Sequence, residues 1–136
     1  MMELSFLRGE FSDPWDSDEG RALLRYKEQL ESLRDFLDSG VDYREITKKN
    51  IDEWEKELRG IIEGIKRLQN APQIDTLLVS CEGAQSMIRR AINNLYIVSH
   101  ILQKKQPSVK DMDTCYQRLT ACPGFLSDAV DIYFKI

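Results

Sequence analysis

The sequence predicts an all-α protein: an antiparallel four-helix-type bundle, three long helices plus a shorter C-terminal helical pair, with an N-terminal arm. Three observations carry this expectation. Apolar residues recur at alternating steps of three and four along most of the 136-residue chain. Capping and breaking residues stand where these stripes begin and end. Alternating apolar–polar runs and hairpin dipeptides such as Asn-Gly are absent.

Residues 1–16 read as the arm, and 17–136 as a single bundle domain. Leu4, Phe6, Leu7, Phe11 and Trp15 are interleaved with Glu3, Glu10, Asp13 and Asp16, and Pro14 interrupts any helix. So many exposed apolar side chains are a liability, so the arm is expected to strap across the bundle; the alternative is a partner bound in trans. Asp16 or Ser17 then caps a helix whose stripe is Leu23, Tyr26, Leu30, Leu33 and Leu37, with Gly40 as its stop.

The second helix has two candidate starts, Asp42 and Asn50, each followed three residues later by a glutamate (Glu45, Glu53). That spacing predicts a separate turn or bend over 43–49 before a stripe of Ile51, Trp54, Leu58, Ile61, Ile65 and Leu68. Asn70-Ala71-Pro72 forces a turn. The third helix is then expected to run unbroken from Ile74 to about residue 105, roughly 45 Å at the helical rise. Ser108 with Asp111 signals another cap, for a short helix through Val109, Met112, Tyr116 and Leu119 that stops before Cys122-Pro123-Gly124. Phe125 to Ile136 would form the last piece. Its ending lacks a polar tail, which fits a terminal helix docked in the core or a piece of a longer protein.

Composition narrows the function classes. Apolar residues at 42% and charged residues at 31% are ordinary for a globular domain. A net charge of −4 makes nucleic acid an unlikely partner, since phosphate binding needs clustered cations. No apolar run reaches membrane-spanning length and no signal-peptide order opens the chain. Cys81, Cys115 and Cys122 are an odd number, which fits free thiols in a reducing compartment, cytoplasm or nucleus.

Chemistry-bearing patterns are sparse, so no enzyme, cofactor or metal site is expected. His100 is the sole histidine, and Lys104 follows it one turn later. A phosphotransfer role for His100 is an alternative, but the small residues of such a signature do not follow it; a histidine near a helix C-terminus reads more simply as structural. No Cys-x-x-Cys, P-loop, His-Glu-x-x-His or Gly-x-Ser-x-Gly string occurs. The carboxylates of the second helix pair with basic residues four positions away, as Glu55 does with Arg59, which reads as a solvated face.

The expectation is therefore a non-catalytic protein-interaction module, a scaffold or adaptor domain or a subunit of a larger complex, taking a helix or an extended peptide. A homodimer is compatible, because heptad-like stripes do not distinguish one chain from its copy. Three regions are candidates. In the third helix, Arg89, Asn93, His100 and Lys104 rim an apolar surface of Tyr96 and Ile97, beside Ile101. Gly60 and Gly64, four apart in the second helix, make a smooth strip that another backbone can approach. The arm, finally, presents Trp15. Asp13-Pro14-Trp15 resembles the Asp-Pro-Trp peptides by which endocytic proteins engage clathrin-adaptor appendages, although a proline-led helix start explains the same letters. An Asp-Pro-aromatic start followed by amphipathic helices also resembles the N-terminal three-helix domains of syntaxins, which would imply a membrane-trafficking regulator. No SNARE heptad region follows, and the third helix departs from that pattern.

Overall fold

In the computed structural model, which describes residues 14–72 and 74–134, the chain folds into four long helices packed against one another. Most of the expected arm, residues 1–13, lies outside the described residues. A single 3-10 turn, Pro14–Asp16, leads into α1, Asp18–Asp38. Ser17 makes the expected cap, its hydroxyl accepting from the Gly20 amide at 3.0 Å. Beyond the helix end, Gly40 has φ +80°, the left-handed conformation that a residue without Cβ adopts at least cost.

Both start signals before the second helix are used, with one reassignment. Asp42 accepts from the Arg44 amide and opens a 3-10 turn, Tyr43–Glu45. The cap of α2, Lys48–Leu68, is Thr47 rather than Asn50. Asn50 is instead the third helical residue: its Oδ1 accepts from the Thr47 amide at 3.1 Å, while Thr47 Oγ1 accepts from the Asn50 amide at 3.2 Å. The short amide of asparagine does here what Glu does in the usual box.

The third helix is shorter than its apolar rhythm implies. Ile74–Leu77 form only a single turn, and α3 begins afresh at Cys81 and ends at Leu102, about 33 Å long. Between them Leu78 pairs with Phe134 in an isolated antiparallel bridge, and the Val79 amide donates to the Tyr133 carbonyl at 2.9 Å. Ser80 then caps α3 by accepting from the Gly83 amide at 2.9 Å. A local side-chain acceptor and a partner from the far end of the chain together outcompete helical continuation.

The expected C-terminal pair is one helix, α4, Val109–Tyr133, running straight through Pro123. An interior proline costs about 3 kcal/mol through one lost hydrogen bond and a clash. Here Cys122, Pro123 and Leu126 are all buried, so packing on both sides of the proline holds the helix together. Gly124 does not act as a stop.

Within the bundle α3 packs on α2 and α4, and α1 on α4, whereas the α1–α2 seam is sparse. Leu23, Leu30, Leu58, Ile65, Ile88, Leu95, Val98 and Leu126 meet in one contiguous core. Two polar links pin α3 in register: Ser99 donates to Asp52 of α2 at 2.6 Å, and Arg118 of α4 donates to Asn94 at 3.1 Å. No described helix is long and apolar enough to cross a membrane.

Candidate functional site

A groove of about 440 Å³ lies where α2 and α3 meet. Its floor is Ile62 and Ile92, both buried, one from each helix. Arg59 and Lys66, seven residues apart on α2, form one wall with Glu63; Arg89 and Asn93, four apart on α3, form the other. These spacings return to the same helical face. Three cationic heads therefore surround an apolar floor beside a single lining carboxylate.

Local partners extend these side chains without consuming them. Arg59 pairs with Glu55 at 2.8 Å yet its side chain stays 61% exposed. Lys66 stands 3.6 Å from Glu63, and Arg89 donates to Gln85 at 3.3 Å. Gln85 is itself buried, so it braces the arginine from the core side. In this setting each guanidinium keeps donors for an incoming carboxylate.

Farther along the same face of α3, Tyr96 is 58% exposed and stacks on His100, with ring centroids 6.3 Å apart and planes 16° apart. His100 is exposed, with its Nδ1 3.2 Å from Gln103 Nε2. Arg89, Asn93, Tyr96 and His100 thus form one stripe, with the groove at its N-terminal end.

The other candidates have different fates. Lys104 is engaged by Asp111 at 3.2 Å, across the loop before α4. Asp111 also caps that helix with Ser108, and these contacts, the Ser108 amide first, hold its carboxyl below the usual range. Lys104 therefore secures the loop rather than the rim. Ile97 packs against the core and Ile101 is buried, so of the extra apolar face on α3 only Tyr96 stays open. Trp15 also packs partly buried against the core.

Gly64 is a seat within the chain rather than an approach for another backbone: a methyl there would overlap the Tyr26 ring and hydroxyl from α1. Gly60 has no atom near its missing side chain, but it faces the α1–α2 seam, away from the cationic groove.

Sequence reasoning missed Arg59, Lys66, Ile62 and Ile92. The i,i+4 pairing of Arg59 with Glu55 points to a solvated face and accounts for the arginine without a groove. The seven-residue step between Arg59 and Lys66 was the available signal, but which neighbouring helix completes that face is not written in α2.

Other reactive groups are quiet. Cys81, Cys115 and Cys122 form no disulfide among the described residues. Burial pushes the Cys122 thiol up to about 12, and burial followed by the Asp111 charge raises Cys115. Both are held protonated at neutral pH, the opposite of an activated nucleophile. Among the described residues no group of three His, Cys, Asp or Glu side chains is placed to hold a metal ion. Comparison of the chain with protein-family models, curated proteins and solved structures finds no match in any of the three.

Proposed function

We propose that the protein is a non-catalytic interaction module, a scaffold or adaptor domain or a subunit of an assembly, whose α2–α3 groove receives an acidic segment of a protein partner. The observation that carries this reading is the pairing of an apolar floor, Ile62 and Ile92, with the cations Arg59, Lys66 and Arg89. Such a groove complements a carboxylate next to an apolar side chain, and arginine forks give the contact direction. Tyr96 adds an exposed aromatic surface of the kind that dominates binding hot spots. A place in cytoplasm or nucleus belongs to the same reading, as three cysteines that form no disulfide among the described residues suit a reducing compartment.

The syntaxin-like trafficking reading has less behind it, because Trp15 packs against the bundle rather than standing out as a peptide anchor. Phosphotransfer is favoured by one observation, the exposure of His100. Incubation with acetyl phosphate followed by phosphohistidine detection tests it, and an unlabelled protein removes it.

For the interaction reading, a phage-displayed peptide library is panned against the wild-type protein and the recovered peptides are measured on Arg59→Glu/Arg89→Glu. Acidic sequences carrying an apolar residue should emerge and lose binding to the charge-reversed protein, with its helical circular dichroism unchanged. Tyr96→Ala should weaken them about tenfold, equivalent to about 1.4 kcal/mol. Failure to enrich acidic peptides, or peptides that bind the double variant equally well, would overturn the reading.

A further inference from the structure

The α2–α3 groove holds one group that an acidic partner by itself does not explain, the carboxylate of Glu63. It stands on the α2 wall between Arg59 and Lys66, so that wall carries cation, anion and cation at steps of four and three residues. At the helical rise the three positions lie near 0, 6 and 10 Å along α2. Glu63 approaches Lys66 at 3.6 Å, with the two side chains 65% and 44% exposed. An exposed pair of this kind is worth little in water, so both ends stay open to a partner's charges.

We infer that the occupant of this groove is an amphipathic α-helix of a protein partner, whose flank toward α2 carries acid, base and acid in that order, with the base facing Glu63. The inference rests on the α2–α3 interaction reading and sharpens it.

Spacing selects a helix over an extended peptide. Side chains on one face of a helix recur every three or four residues, about 4.5 to 6 Å, the same steps as the wall they would meet. On an extended chain they recur every second residue, about 6.6 Å, so the third charge would fall near 13 Å and overshoot Lys66. The seat also has the form that an added bundle helix needs. Ile62 and Ile92 make an apolar floor between two helices. Counted from the Ser99–Asp52 hydrogen bond, α2 and α3 run in opposite directions: Arg59 and Asn93 lie at about 10 and 9 Å, and Glu63 and Arg89 at about 16 and 15 Å. Arg89 is therefore across the groove from Glu63 and takes a carboxylate on the other flank of the same partner helix. Charges on both sides of an apolar stripe are how paired helices fix partner and register. From Lys66 to the exposed Tyr96 the surface measures about 16 Å, three helical turns.

Stapled helical peptides of about four turns, measured by fluorescence anisotropy against the full chain, test this. Two carry a leucine stripe with Glu at i and i+7 and Lys at i+4 or i+3, for a helix parallel or antiparallel to α2. The third is an isomer of the same composition, with Glu at i and i+4 and Lys at i+7. One of the first two should bind about tenfold tighter than the isomer, which sets like charges against Glu63 and one cation. Glu63→Lys, with its helical circular dichroism unchanged, should weaken that peptide about fivefold, the upper range for an exposed pair, and exchanging the peptide's Lys for Glu should restore it. Equal binding of the isomer, with both peptides lost on Arg59→Glu/Arg89→Glu, would overturn the charge order and leave the acidic-segment reading standing. A Glu63→Lys effect that the peptide exchange does not reverse, or binding by extended acidic peptides alone, would likewise overturn this inference only. Binding indifferent to the double variant, or no binding by any stapled or panned peptide, would overturn both.

Discussion

The two flanks of α2 are built from different side chains, and the difference sets how closely its neighbours approach. Toward α3 the contact is aliphatic, with Ile62 against Ile92, and it is pinned by the Ser99–Asp52 hydrogen bond. Toward α1 the contact is aromatic: Tyr26 rests on Gly64, and Phe36 meets Trp54 edge-on. Interhelical distance follows the bulk of the contact residues. The α1–α2 seam is sparse apart from the Tyr26–Gly64 seat and the Phe36–Trp54 ring contact, whereas α3 packs closely on both α2 and α4. One flank therefore offers a charged groove over an isoleucine floor, and the other an open seam lined by aromatic and polar side chains.

The strongest way to break this comparison is to remove one residue from each side. Leu95→Ala, in the fully buried centre of α3, should cost about 3 kcal/mol through lost burial and an unfilled cavity. Phe36→Ala in the open seam should cost about 1 kcal/mol, because nearly half of that ring is already solvated. Urea unfolding measures both, and equal losses would mean that the seams do not differ.

A smaller effect separates the two glycines. Gly60→Ala should raise stability by up to about 1 kcal/mol through helix propensity, since no atom obstructs the new methyl. Gly64→Ala should forfeit that gain by displacing Tyr26, and should recover it in a Tyr26→Ala background. Thermal melts of the double-mutant cycle check the sign; additive behaviour would refute the proposed seat.

The smallest effect concerns the polar pin. Lys48 first, and Ser99 second, hold the Asp52 carboxyl below the usual carboxylate range. A carboxylate whose folded pKa is depressed contributes stability above its unfolded pKa of about 4 and loses it as pH falls through the folded value. Ser99→Ala should therefore lower the urea midpoint at pH 7, and its difference from wild type should shrink below about pH 4. A difference independent of pH would show that Ser99 acts through packing alone.

Legibility in the sequence tracked how local each cause was. Ser17, Gly40 and the Ser108–Asp111 box were readable because a cap acts on amides within three residues of itself. Thr47 was passed over for Asn50 because two polar residues three apart offer mirror-image capping roles, and only backbone conformation selects between them. The break at Leu78–Ser80 was invisible, since its cause includes Phe134, fifty-six positions away. Pro123 misled in the opposite direction: its local penalty is real, but the burial that outweighs it comes from other helices. At the site, Arg89, Asn93 and Tyr96 were found from α3 alone, whereas Arg59 and Lys66 needed the position of α2 beside it.

By itself the sequence determined that the chain is helical, which residues face inward along each stripe, and that the third helix is apolar around much of its circumference. These follow from periodicity and capping, whose range is a single helical turn. Tertiary structure alone decided where the third helix starts, that the fourth continues through a proline, and which polar residues share a groove. Those outcomes depend on contacts between segments distant in the chain, where packing outweighs local preference by a few kcal/mol.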